Sequence, residues 1–198
     1  MERARLRTIA GSSLVGVAVL LLLATTTAEA FYPDYSTTTQ TISALGGPDA
    51  TPTAKLVFNG TIVVCGLWLG VAAYCLHRVY GSVALTTTAG ITGFGGLVGV
   101  GLFPMQTGLP HVIAAILAFG GSGVTALAAA RVFRGSYRYV SAVLGVLVLV
   151  TVVLFFTLGG STPLGVGGLE RWVHYLALAW TAATGGYLLA PGSSPRTG

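Results

Sequence analysis

Six stretches of this chain contain no charged residue, and each is 19 to 31 residues long. They cover residues 8–28, 56–76, 82–110, 111–130, 139–169 and 172–190. A helix needs about 20 apolar residues to cross a bilayer core of roughly 30 Å. Only 8% of the residues are charged, against roughly 25% in soluble domains, so the chain lacks the polar groups to cover a water-facing surface. It is therefore predicted to be an integral membrane protein.

The same stretches predict an all-α fold. Lipid leaves no backbone group unpaired, and no stretch shows the period of two that a barrel strand requires. The two longest stretches include polar or glycine-rich ends, so each supplies one span. We expect a bundle of six transmembrane helices in one domain over residues 1–190, followed by a disordered cytoplasmic tail at 191–198. The predicted spans are about 8–30, 54–77, 82–104, 111–133, 139–158 and 169–190.

The basic residues predict the orientation in the cytoplasmic membrane. Six spans place both termini on one side, and the side richer in Lys and Arg is the cytoplasm. With both termini inside, only Lys55 and Arg171 lie outside. The basic residues inside are Arg3, Arg5, Arg7, Arg78, Arg131, Arg134, Arg138 and Arg196. The net charge of +5 then reflects topology and contacts with membrane lipids, and no basic run with interleaved aromatics indicates a nucleic-acid partner.

The N-terminus has two interpretations. MERARLR, an apolar run and the small residues AEA at 28–30 are typical of a secretory signal peptide. The apolar run is 21 residues long, however, whereas a signal peptide has about 7–15. A retained first helix is favoured, and cleavage after Ala30 stays the alternative. The residues that follow lie outside in both cases.

One polar segment, residues 32–52 (YPDYSTTTQTISALGGPDATP), separates the first two predicted spans. Ser36 is suited to cap a two-turn helix over TTTQTISAL, and Gly46 stands where a C′ glycine is favoured. Ile42 and Leu45 would then share one face, directed at the bundle or the bilayer surface. Threonine is a poor helix former, so an irregular loop stays the alternative.

Glycine and cysteine positions predict how the helices pack. Small residues four apart, as in Gly66/Gly70 and Gly95/Gly99, favour close approach of two helices, and we expect the third helix to be the most central. The fifth helix has almost no small or polar residue after Gly145, so we expect it to face lipid most. The two cysteines, Cys65 and Cys75, are about 15 Å apart along one helix, too far for a disulfide.

Ionisable residues at the predicted outer level are candidates for chemistry. Glu170 and His174 share a helix face at i, i+4, and His111 begins the fourth helix at the same level. If these meet, they form a candidate metal site or acid/base group. The alternative is that Glu170 stabilises its helix start and pairs with Arg171 or Lys55, without catalysis. Glu29 and Asp34 lie at the outer end of the first helix, and Asn59 is expected to hydrogen-bond another helix or the polar segment.

Four segments in order, YSTTTQTISALGGP, KLVFNGTIVVCG, GLFPMQTGLPHVIAAILAF and GGLERWVHY, resemble the DUF998 family of prokaryotic six-helix membrane proteins, which has no assigned activity. The resemblance spans nearly the whole chain. Its recurring positions fall on Tyr35, Ser36, Ile42, Ser43, Leu45, Gly46, Asn59, Phe103, Pro104, His111, Glu170 and Arg171. The family commonly has an acidic residue where this chain has Ala44, which weakens any mechanism that needs a carboxylate there.

Three functions are compatible with these residues. The first is binding of a lipid, a small apolar ligand or a membrane partner at the outer face, with Tyr35, Ser36, Ser43, Asn59 and Arg171 as ligand-binding or structural residues. The second is a membrane-embedded hydrolase or transferase acting on lipid through His111, Glu170 and His174. The third, a small transporter, is disfavoured because the spans lack the charges and broken helices of a substrate path. No cofactor or protein partner is indicated by the sequence.

Overall fold

The computed structural model describes residues 1–190, in which six long helices are joined by one long connection, between the first two helices, and by four short ones. The predicted tail at 191–198 lies outside the described residues. The helices are α1 (Glu2–Ala30), α2 (Pro52–Tyr80), α3 (Val83–Leu102), α4 (Leu109–Val132), α5 (Tyr137–Leu158) and α6 (Gly165–Leu189). Two short 3₁₀ helices, Ile42–Gly46 and Met105–Thr107, lie in the α1–α2 and α3–α4 connections. Within residues 1–190 there is no strand, and the predicted all-α class is confirmed.

Local sequence explains where the helices begin and end. Thr51 caps α2, because its hydroxyl accepts from the Ala54 amide at 3.2 Å and Pro52 occupies the first turn. Gly81 then ends α2 in the left-handed region at φ +66°, and Ser82 caps α3 through the Leu85 amide. The predicted bounds differ from those of the observed helices by six residues at the start of α1 and by at most four elsewhere.

The six helices form a closed ring. Each packs against its neighbour in sequence, and α6 returns to pack against α1, with a smaller contact between α4 and α6. Five helices, α1 to α5, are long and apolar enough to cross a membrane. The chain is thus a multi-pass membrane protein by the length and composition of its helices. The sixth helix carries the charged residues Glu170 and Arg171 near its start and is not among these five.

The prediction that the third helix is central is wrong. α3 packs mainly against α2 and α4, while Phe94 and Leu102 on its remaining face are exposed. Its glycines allow close approach to these two neighbours: a Cβ on Gly93 would lie 2.8 Å from the carbonyl oxygen of Gly66 in α2, and one on Gly96 would lie 2.5 Å from the backbone of Ala118 in α4. Between two α-helical ends, residues Ile91–Val98 of α3 are π-helical.

The prediction that the fifth helix is the most exposed to lipid is confirmed. Among the five candidate spans, α5 has the smallest share of buried residues in its most apolar stretch, 22%. Cys65 and Cys75 are free and buried, as expected. Helix α1 is continuous from Glu2 to Ala30, a geometry that fits either a retained or a cleaved first helix.

Candidate functional site

The polar segment 32–52, called the strap below, lies over one end of the helix ring. Its ends are fixed by side chains: the Thr51 hydroxyl donates to the Phe31 carbonyl at 2.7 Å, and Lys55 donates to the Pro48 carbonyl at 2.6 Å. As predicted, Asn59 on α2 reaches the strap, donating to the Gly46 carbonyl at 3.3 Å. These bonds hold the polar segment against the bundle.

The prediction of a two-turn helix in the strap is wrong. The structure has a single 3₁₀ segment there, Ile42–Gly46. Thr41, not Ser36, caps it through the Ala44 amide, whereas the Ser36 hydroxyl accepts from the Thr39 amide in the turn before. Gly46 lies inside the segment, and Gly47 follows at φ −78°, so no left-handed glycine ends it. The three consecutive threonines disfavour helix, and the Ile42 and Ser43 amides bond to another element instead.

The partner of these two amides is the side chain of Glu170 on α6. Glu170 is only 2% exposed. One carboxylate oxygen accepts from the amides of Ile42 and Ser43, the latter at 3.3 Å, and the other accepts from the Ser43 hydroxyl at 2.7 Å. Neither expected partner forms an ion pair with it, since Arg171 pairs with Glu29 and Lys55 donates to the Pro48 carbonyl. Glu170 is thus a buried anchor for the strap.

The adjacent Arg171 anchors the other half of the strap. Its guanidinium donates to the carbonyls of Thr37 at 2.9 Å and Gln40 at 3.3 Å, and to the Gly167 carbonyl of its own helix at 3.0 Å. It also forms an ion pair with Glu29 of α1 at 2.5 Å. The fork of a guanidinium suits such a set of separate acceptors. Arg171 therefore joins α1, the strap and α6 at one point.

Tyr35 completes this junction from inside the strap. Its hydroxyl donates to the Thr41 carbonyl at 2.7 Å and accepts from Arg171 at 2.8 Å, and the guanidinium carbon lies 5.4 Å from the ring centre. Burial raises the pKa of Tyr35 to about 12, against the smaller lowering by Arg171. The phenol therefore stays protonated and able to donate at physiological pH.

Two glycines allow the strap to approach the start of α6. The Gly167 amide donates to the Thr38 carbonyl at 2.9 Å. A Cβ at Gly167 would collide with the carbonyl oxygens of Gln40 and Thr37, and one at Gly165, where φ is +67°, would collide with that of Thr38. Only a residue without a side chain fits between the strap and α6 here.

The three residues proposed for chemistry do not all share one space. Glu170 and His174 both line a cavity of about 30 Å³ beneath the strap, whose other lining side chains are mainly apolar, such as Leu21, Phe58 and Phe119. The His174 Nε2 atom lies 3.5 Å from the Thr25 hydroxyl. His111 instead places Nδ1 2.8 Å from the Phe103 carbonyl and does not line this cavity.

Potential metal ligands are accordingly dispersed. In the part of the chain that the structure describes, no group of three or more His, Cys, Asp or Glu side chains is arranged to hold a metal ion. A site with only Glu170 and His174 would have fewer protein ligands than the three or four usual for zinc. Asp34 is exposed, with φ +59°, and contributes no contact to the junction.

A second and larger space opens beside the strap. It is a groove of about 500 Å³, with mainly apolar walls, between the strap, the α3–α4 connection and the start of α6. It is lined by Tyr32, Thr39, Gln40, Thr41, Ala44, Gly47, Pro48, Asp49, Met105, Gln106 and Val166. Met105 and Gln106 were not singled out from the sequence, because nothing local to them distinguishes a groove wall from an ordinary exposed turn.

Comparison with known proteins gives one match. The model of the DUF998 family, described as a protein of unknown function, matches residues 15–187. The match covers all six helices in whole or in large part. No curated protein and no solved structure matches the chain.

Proposed function

Since the chain belongs to the DUF998 family, whose function is unknown, we propose its function from the site itself: a membrane protein that binds one small amphipathic molecule at the strap end. The observation that carries this proposal is the groove of about 500 Å³ between the strap and the Met105–Thr107 turn. Ligand sites of about 300–1,000 Å³ with apolar walls and a few polar groups are typical for small molecules.

The wall chemistry indicates the class of ligand. Tyr32, Gln40 and Gln106 offer hydrogen bonds, whereas Ala44, Met105 and Val166 offer apolar contact. Asp49 supplies the one full charge among the lining residues, and it is negative. A neutral, zwitterionic or cationic polar group attached to a short apolar part therefore fits better than an anion. The headgroup region of a phosphatidylethanolamine-like lipid has this chemistry.

The same geometry gives less support to the alternative, acid/base catalysis through His111, Glu170 and His174. The Glu170 carboxylate already accepts three hydrogen bonds from the strap. The cavity that it shares with His174 is about 30 Å³, room for roughly one water. A lipid substrate would enter it only after the strap had left the bundle, and His111 bonds elsewhere.

The proposed topology follows from the two ends of the bundle. Arg78 pairs with Glu2 at 2.9 Å, and the Arg134 amide donates to the Tyr187 hydroxyl at 3.4 Å, so the start of α1 and the ends of α2, α4 and α6 lie together. This arginine end carries seven of the nine basic residues among residues 1–190, and the strap end carries Lys55 and Arg171. We infer six spans, with both termini in the cytoplasm and the strap outside.

The test is ligand binding by a groove-filling variant. In Ala44→Phe, the new ring occupies the groove, so we expect a loss of at least about tenfold in affinity for co-purifying lipid or added short-chain phosphatidylethanolamine. Native mass spectrometry and equilibrium titration would measure it. The matched control is Leu109→Phe, since Leu109 is 70% exposed near the groove but does not line it.

Equal binding by both variants and by the unchanged protein would contradict the groove as the binding site. Turnover of a lipid that Glu170→Gln abolishes and Ala44→Phe leaves intact would favour the catalytic alternative instead.

A further inference from the structure

A second surface of the molecule, at the arginine end, has the chemistry to bind a different partner. Three arginines, Arg131, Arg134 and Arg138, lie within eight residues at the connection between α4 and α5, and all three are exposed. Arg131 is in the last turn of α4, and Arg138 is in the first turn of α5. The surface is called the arginine platform below.

Among the residues that the structure describes, no carboxylate forms an ion pair with the arginine platform. Within residues 1–190 the two ion pairs are Arg78 with Glu2 and Arg171 with Glu29. Glu2 is the one acidic residue at this end, and it is engaged by Arg78. Three guanidinium groups close in sequence repel one another, so an external anion would be favoured there.

The platform is held in place by a buried aromatic cluster. Phe133, between two of the arginines, is 3% exposed. Its ring centre lies 4.9 Å from that of Tyr187 and 5.6 Å from that of Tyr80. The neighbouring Tyr137 stacks on Tyr187 at 4.6 Å. The backbone carrying the arginines is thus fixed before any ligand arrives, which lowers the entropic cost of binding.

An apolar surface continues directly from the platform along α5. Val140, Val143, Leu147 and Val150 recur at helical spacing and are 43% to 58% exposed. Tyr139 is also exposed, and the Arg138 guanidinium carbon lies 5.3 Å from its ring centre. An exposed tyrosine at the junction of charged and apolar surfaces is typical of the membrane interface. Along α5, the arginine at its start is therefore followed by an exposed tyrosine and then by an exposed apolar face.

Because these charged, aromatic and apolar surfaces adjoin, we infer that the arginine platform is a binding site for an anionic phospholipid. The phosphate would lie at Arg134 and Arg138, and the acyl chains would lie along α5. Phosphate alone would satisfy the arginines, but only a lipid also uses Tyr139 and the exposed face of α5. The site is separate from the groove at the strap end, and neither proposal depends on the other.

The experiment compares two pairs of arginines at the same end. The full chain in detergent is titrated with dioleoylphosphatidylglycerol, and binding is counted by native mass spectrometry. Because each basic residue near an anionic surface contributes about 1 kcal/mol, we expect Arg134→Gln with Arg138→Gln to lower the affinity at least about tenfold. The control is Arg3→Gln with Arg5→Gln, two exposed residues on α1 outside the platform, with an expected loss below about threefold.

Three further comparisons, with lysine variants, phosphatidylcholine and inorganic phosphate, test whether the site recognises an anionic lipid. Arg134→Lys with Arg138→Lys keeps the charge and should retain most of the binding, and an unchanged melting temperature in detergent confirms folding of each variant. Dioleoylphosphatidylcholine and inorganic phosphate should each bind the unchanged protein at least about tenfold more weakly than phosphatidylglycerol. Equal losses in the two glutamine pairs, or equal binding of phosphate and phosphatidylglycerol, would overturn the inference.

Discussion

At the scale of single residues, the strap is held by two adjacent side chains with opposite tasks. Glu170 accepts from strap donors, and Arg171 donates to strap acceptors. Neighbours in sequence point about 100° apart on a helix, so the pair reaches two different parts of the strap. An i, i+4 pattern such as Glu170 and His174 marks a shared face, but it does not reveal this division between neighbours.

Glu170→Gln tests the carboxylate. The amide keeps one acceptor and brings an NH₂ group against the donors of Ile42 and Ser43, so we expect destabilisation of about 2–4 kcal/mol. Chemical unfolding would measure it, and hydrogen exchange at the Ile42 and Ser43 amides should accelerate. Glu29→Gln is the control, because that carboxylate is 20% exposed and accepts from Arg171 alone. Equal effects of the two variants would contradict the anchoring role of Glu170.

Arg171→Lys tests whether the strap requires the several N–H donors of the guanidinium group. The variant keeps the positive charge but has three donors on one nitrogen, so it cannot reach Thr37, Glu29 and Tyr35 together. We expect faster proteolysis within the strap, with the helical content unchanged. Protection equal to that of the unchanged protein would show that charge alone holds the strap.

The raised pKa of Tyr35 predicts that the stability of the fold depends on pH at alkaline pH. Burial raises its pKa to about 12, above the usual value of about 10. A folded-state pKa above the unfolded value means that the protonated phenol stabilises the fold fully below about pH 10, and that this contribution is lost as the pH rises from about 10 to 12. The melting temperature should therefore fall more steeply across that range than in Tyr35→Phe. The other tyrosines are common to both proteins, so parallel curves would contradict the assignment to Tyr35.

At the scale of elements, close packing distinguishes glycines that look alike in the sequence. In α2, a Cβ on Gly66 would meet Gly93 and Val98 of α3 at 2.7 Å, whereas one on Gly60 would meet nothing within 4 Å. The π-helical segment Ile91–Val98 lies at this contact. Overpacking between two backbones has no flexible side chain to absorb it.

Gly66→Ala should therefore destabilise the protein by about 1–3 kcal/mol, and Gly60→Ala should be neutral or stabilising by up to about 1 kcal/mol through helix propensity. Thermal unfolding of both variants in the same detergent measures the difference. Equal melting temperatures would show that α2 and α3 separate at little cost.

At the scale of the whole molecule, the two ends of the ring differ in charge and in architecture. The strap end is covered by an ordered polar segment and carries Glu29, Asp34, Asp49 and Glu170, whereas Glu2 is the acidic residue at the arginine end of the described chain. The proposed orientation is supported by the basic residues, seven of nine within residues 1–190 lying at the arginine end, because acidic residues contribute little to the positive-inside rule.

Labelling of intact cells tests that orientation. Cys65 and Cys75 are buried, so the background is low. Thr37→Cys in the strap should react with a membrane-impermeant maleimide, and Ser136→Cys at the arginine end should react only after the cells are permeabilised, since both positions are exposed in the fold. The reverse pattern would invert the topology.

Local patterns in the sequence are enough to predict the helices, their approximate bounds, the large exposed apolar surface of α5 and the location of the polar segment. These depend on quantities local to each stretch: apolar length, charge-free runs, caps and helix-ending glycines. It predicted that Asn59 would meet another element, because a polar side chain in an apolar helix requires a partner. It also indicated Glu170 and Arg171 as candidates before their partners were known.

Which polar groups meet depends on the tertiary fold. Glu170 bonds to Ser43, 127 residues away, and Arg171 bonds to Glu29, 142 residues away. The bonds of Glu170 go to a 3₁₀ segment that stands where a two-turn helix was expected, while His111 bonds to the Phe103 carbonyl and lies outside the cavity that His174 lines. The physical reason is that a buried charge takes whichever donors or acceptors the folded chain brings within about 3 Å. That choice depends on the closure of the helix ring, which no local stretch of sequence specifies.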